Sequence, residues 1–181
     1  MASAEFPANT VVTLPGGRRP AAWRVAVRGS GPAAPIASVE VELPGAPLLW
    51  YVELPEPGAA PPAATLVAFS DPRYADGTVL TAGAARAAGV AGEQQVAAFR
   101  WWTGSGLVHQ IYVSPEHRRN RVMLKLAHAA FAVQGMRGGP PLHGDGRRTD
   151  DGEAFVRALP SYGAWRAAPR TEQLPSMTPV D

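Results

Sequence analysis

Three arginines, Arg118, Arg119 and Arg121, stand between a strand-like segment and a helix-like one, and that arrangement suits a phosphate. The first backbone N–H groups of a helix have no intrahelical partners and the helix dipole is positive at that end, so anions collect there. Arginine adds a planar fork that grips phosphate through two parallel hydrogen bonds. Asn120 and Val122 would contribute backbone amides to the same turn. The plain alternative is a solvated basic turn that opposes the helix dipole.

The elements that must position this turn flank it. Upstream, Val108, Ile111, Tyr112 and Val113 are β-branched or aromatic and Pro115 stops the run, which predicts a strand over 107–114. Downstream, Val122, Leu126, Ala129, Ala130 and Val133 recur at i, i+4, i+7, i+8 and i+11. That spacing predicts a helix beginning by about Arg119 with one buried stripe, and Gly135 is placed to end it. Residues 95–102 read as a strand turned antiparallel into the next by Thr103-Gly104-Ser105-Gly106. Trp101 and Trp102 must then face opposite ways, one into the core and the other toward a pocket or a subunit contact. Pro141-Leu142-His143 predicts a short strand. Asp150 with Glu153 caps a helix running to about Leu159, where Pro160 stops it.

Earlier in the chain, residues 23–27 and 36–43 alternate as a hairpin around Gly29-Ser30-Gly31-Pro32, and residues 48–54 predict a third strand. A Pro/Ala-rich loop over 55–62 leads to an apolar run over 65–69. Ala84 to Ala88 read as a short helix limited by Gly83 and Gly89. Of the 19 prolines, 12 lie at or before Pro72, so the second half is better punctuated for regular structure.

A chain of 181 residues, 46% hydrophobic and 18% charged, is sized for one domain with a real core. The expected organisation is a segment over 1–19, a domain over 20–166 and an extended tail over 167–181. A net charge of +2 is too small to argue for nucleic acid, and Asp145, Asp150, Asp151 and Glu153 offset the arginine cluster. The absence of cysteine rules out a disulfide framework, a thiolate zinc site and a cysteine nucleophile, and fits a cytoplasmic protein. No run reaches the roughly 20 apolar residues of a membrane span, and no signal-peptide pattern is visible. His109, His117, His128 and His143 lack metal-type spacing. A calcium loop counted from Asp145 fails at Arg147, so no metal is expected.

Ile111-Tyr112-Val113-Ser114-Pro115-Glu116-His117-Arg118 resembles the central motif of the GCN5-related N-acetyltransferases (GNAT). There a strand ending in an apolar-x-Val-x-Pro pattern precedes Arg/Gln-x-x-Gly-x-Gly/Ala and a helix. The order of elements is similar over residues 95–159. Arg121 stands where the family has its first glycine, and Met123 where it has glycine or alanine. The resemblance implies a mixed α/β (α+β) fold with a mainly antiparallel central sheet flanked by helices. It also implies acetyl-CoA or another acyl-CoA as co-substrate. Tyr112, Val113 and Ser114 would meet the pantetheine arm, and Arg118, Arg119, Asn120, Arg121, Val122 and Met123 the pyrophosphate.

The implied reaction is direct attack of a deprotonated amine on the thioester in a ternary complex, which needs a base and an acid beside the carbon. Tyr162, where the family often has an acidic tyrosine, is the favoured candidate, with His109, His143 and Glu93 as the others. Each also has a plain structural reading: His109 on a sheet face, His143 bonded in its turn, Tyr162 in a core or interface. With no cysteine and no Ser/His/Asp arrangement evident, no covalent intermediate is indicated. The partners implied are an unidentified amine acceptor, held by loops over 55–92 and 160–170, and a second copy of the chain. The alternative is a catalytically degenerate binding or scaffold protein on the same fold, with Arg121 and Met123 filling the cofactor site.

Overall fold

Short β-branched runs between turn residues set the pattern of the first half, as seen in a computed structural model that describes residues 11–12, 25–158 and 168–175. β1 (Val11–Val12), β2 (Val25–Gly29) and β3 (Ile36–Val41) form an antiparallel three-stranded sheet. A five-stranded sheet follows, built from β4 (Trp50–Glu56), β5 (Ala63–Phe69), β6 (Val79–Thr81), β7 (Ala97–Trp102) and β8 (Val108–Val113) in the order β6-β4-β5-β7-β8. Every pairing in it is antiparallel except β4 with β6. The helices are α1 (Ala82–Ala87), α2 (Val122–Met136) and α3 (Asp150–Ala158), and a parallel pair, β9 (Arg147–Arg148) with β10 (Glu172–Gln173), brings the tail back onto the fold. The fold is thus mixed α/β with a mainly antiparallel sheet, in the class the sequence predicts.

The two larger sheets meet at a Ser38–Thr78 bridge, where the Val39 N–H also donates to the Gly77 carbonyl at 2.7 Å. α2 packs on β2 and β3 beyond that junction and on β5 and β7 before it, so the sheets curve round the helix. The predicted stripe of Val122, Leu126, Ala129, Ala130 and Val133 is buried. So are Met123, Lys125, Ala127, Ala132, Gln134 and Met136, because a second sheet covers the flanks that periodicity assigns to solvent.

Polar side chains on so buried a helix need partners. Lys125 places Nζ 2.7 and 2.9 Å from the Asp76 carboxylate and 2.9 Å from the Pro47 carbonyl. Gln134 accepts from Trp101 Nε1 at 2.8 Å and donates to the Thr103 and Pro140 carbonyls at 2.9 and 3.2 Å. Just past the helix, Arg137 holds the buried Glu53 carboxylate at 2.9 and 2.6 Å and also donates to the Pro32 and Ala34 carbonyls. On the far face of the sheet, Trp50 stacks on Phe69 at 4.3 Å in a second apolar cluster that includes Ala85 of α1.

Several expectations are corrected in detail. α2 begins at Val122 and not by Arg119, because Arg119 (φ 64°) and Arg121 (φ 59°) take left-handed backbone that a helix cannot contain. The strand expected at 141–143 is a single Leu107–His143 bridge. β6 and β9 are too short to announce themselves by alternation. Trp23 and Arg24, assigned to the first hairpin strand, lie outside the described residues.

Candidate functional site

β8 is an edge strand, and its two sides behave differently. The Ser114 N–H donates to the Val96 carbonyl at 2.9 Å, extending the ladder with β7. Antiparallel alternation then turns the backbone of Tyr112 and Ser114 toward β7 and that of Ile111 and Val113 toward the open edge. Of the three residues assigned to pantetheine, Val113 alone presents its backbone there. Among the described residues the backbone of the open edge is paired at its start, where the Val108 N–H donates to the His143 carbonyl at 2.8 Å and the His143 N–H to the Gly106 carbonyl at 2.9 Å. Gly106 permits that approach: its φ is +77°, and a Cβ would lie 2.4 Å from the Pro141 carbonyl oxygen. From this apex to Val113, about 20 Å of strand, the edge has no strand partner among the described residues, and the result is a wedge.

Arg118 spans the mouth of the wedge. Its Nε donates to the Val113 carbonyl at 3.2 Å, and its Nη1 lies 3.2 Å from Asp151 Oδ2 in the first turn of α3. Between strand and helix, Pro115–His117 make a single 3₁₀ turn. Buried Ser114 donates its hydroxyl proton to the Val96 carbonyl at 3.2 Å and lies 2.9 Å from His117 Nδ1. The Glu116 carboxyl is held below the usual range, first by its own backbone N–H and further by its neighbours, His117 among them, which together outweigh the opposing effect of burial.

The rest of the turn carries the basic residues. Arg119, Asn120 and Arg121 are exposed. Arg121 directs Nη1 to the Pro44 carbonyl, and its guanidinium lies beside Gly45. Met123 and Val122 are buried in the main core. The two side chains standing where the resembling motif has small residues are therefore engaged by protein, and Arg121 takes up the left-handed conformation that glycine adopts readily.

The acid and base candidates scatter. His143 forms the wedge apex through its backbone, with an exposed ring. His109 is exposed near the start of β8 and stacks on Trp102 at 4.5 Å, while Arg100 lies over the same tryptophan at 4.5 Å. It is four residues, about 13 Å of strand, from Val113. Glu93 is exposed on a 3₁₀ turn, Gly92–Gln94, that leads into β7 at the end of the sheet where Val113 lies. Tyr162 lies outside the described residues. Two participants escape a linear reading. Asp151 is 33 residues from Arg118 and looks like an ordinary helix-cap acid. His117, beside Ser114, carries no recognisable spacing.

An open strand edge can pair with an amide-bearing chain, and a basic turn beside it can hold an anionic group at the same time. Among the described residues, no group of three or more His, Cys, Asp or Glu is placed to hold a metal ion, and no helix is long and apolar enough to cross a membrane. No protein-family model matches the chain, and neither the curated proteins nor the solved structures hold a significant match to it.

Proposed function

We propose that the protein is an acyl-CoA-dependent N-acyltransferase of the GCN5-related type, transferring an acetyl or other acyl group to an amine. The observation that carries this reading is the wedge itself: a strand edge with no strand partner among the described residues, running into a basic turn with left-handed backbone at Arg119 and Arg121. The amides of a pantetheine arm match the open edge, and a diphosphate matches the turn. The amine nitrogen would attack the thioester carbon as the C–S bond breaks. The amine proton passes to a base and the departing thiolate takes one from an acid. Glu93 is the candidate base at that end of the sheet, and Tyr162 remains the candidate acid. We place the protein in the cytoplasm, and the half-buried Trp102 stack suits contact with a second copy.

A binding or scaffold role on the same fold is favoured by one observation, the engagement of Arg118 by Val113 and Asp151. The two are separated by incubating the protein with acetyl-CoA and a panel of primary amines and titrating the released CoA thiol. The chain contributes no thiol of its own. Amine-dependent release is expected from the acyltransferase. None with any amine, from a folded protein, is expected from the scaffold.

A further inference from the structure

Arg118, assigned above to the diphosphate, is bonded to its own protein at the end of the open edge away from the Leu107–His143 bridge. Its guanidinium joins the Val113 carbonyl to the Asp151 carboxylate, each at 3.2 Å, and so ties the end of β8 to the first turn of α3. The opposite end of the wedge is fixed by the backbone bridge between Leu107 and His143.

We propose that the Arg118–Asp151 pair is a latch. It holds the wedge shut when empty, and an incoming anionic ligand opens it by drawing the guanidinium from Asp151 and freeing the Val113 carbonyl. The proposal rests on the acyl-CoA reading of this turn. Three features support it. Asp151 is 73% exposed and Arg118 35% exposed, so the pair is solvated and readily exchanged for a diphosphate, which offers more charge and a bidentate fit. α3 is anchored without Asp151: Arg148 pairs with Glu153 at 2.9 Å, Arg170 with Asp150 at 2.9 Å, and Phe155 packs on the main core. The Val113 carbonyl is the acceptor that a ligand amide on the open edge would seek, and Arg118 Nε occupies it.

Removing either partner of a merely structural pair changes ligand binding in the same direction. A latch predicts opposite directions. Arg118→Ala loses a ligand contact, whereas Asp151→Asn removes the competitor for that contact and is expected to tighten CoA binding by about threefold to fivefold. The test is calorimetric titration of the full chain with CoA, alongside spin-label distances between Glu116→Cys and Ala154→Cys in wild-type and Asp151→Asn backgrounds. Both labelling positions are exposed, and the chain has no other cysteine. The latch predicts a longer, broader distance distribution in Asp151→Asn, with CoA shifting the wild-type background the same way. Where wild type binds CoA, an Asp151→Asn affinity no higher than wild type overturns the latch. So does a tighter affinity with an unchanged distance, which reduces Asp151 to simple repulsion of the ligand. Where neither protein binds CoA, the distance alone decides the latch and the acyl-CoA reading fails separately.

Discussion

Arg119 and Arg121 hold backbone at φ 64° and 59°, a region that costs a side-chain-bearing residue about 1–2 kcal/mol. Arg121 recovers part of that through the Pro44 carbonyl and contact with Gly45. Arg119 is exposed, so Arg119→Gly should relieve more strain than it adds in unfolded-state entropy. Stability in urea is expected to rise by about 0.5–1 kcal/mol. A fall of similar size would mean the residue is not left-handed. The basic cluster itself was legible from residue type alone. Which arginines would be held by the protein was not, because Pro44 and Asp151, the groups that bond Arg121 and Arg118, are distant in the chain.

At the scale of elements, α2 is organised by what closes its end. Glu53 is 6% exposed on β4, and Arg137 is the guanidinium that accompanies it into the interior. Arg137→Ala leaves that carboxylate buried without its partner and frees the turn at Pro32 and Ala34. The expected cost is about 3 kcal/mol, read as a lower denaturant midpoint with an unchanged m-value. A loss under about 1 kcal/mol would show that Glu53 reaches water in the native state. Helical spacing made α2 and its principal stripe visible in the sequence. Its burial on the remaining sides follows from sheet curvature, a long-range property that periodicity cannot carry. For the same reason the wedge apex, a single bridge permitted by Gly106, looked in sequence like an ordinary short strand.

Across the whole molecule, several carboxylates are held below their usual range by arginine partners. Arg100 does this to Glu56, helped by the Thr65 hydroxyl, Arg73 to Asp71, and Arg148 to Glu153. At Asp145 burial pushes upward, but the backbone and side chain of Arg147 outweigh it. A carboxyl whose folded pKa lies below its unfolded value contributes stability above the unfolded pKa, near 4, and loses it as pH falls through the folded pKa. Unfolding free energy is therefore expected to be flat from about pH 5 to 7 and to fall below about pH 4. Glu56→Gln should lower stability by about 0.5–1 kcal/mol at neutral pH and make the acid fall shallower. An acid profile identical to wild type would remove Glu56 from the set. The α/β class was legible from strand alternation and turn residues, whereas the joining of the sheets at Ser38–Thr78 and the return of β10 to β9 rest on pairings distant in sequence.

The most direct test of the acyl-CoA site is calorimetric titration of the purified chain with CoA and acetyl-CoA, repeated on Arg118→Ala. Micromolar binding of both ligands is predicted, weakened about tenfold or more by the substitution as a charge-assisted contact is lost. No heat at millimolar ligand, from protein shown to be folded by circular dichroism, would contradict it.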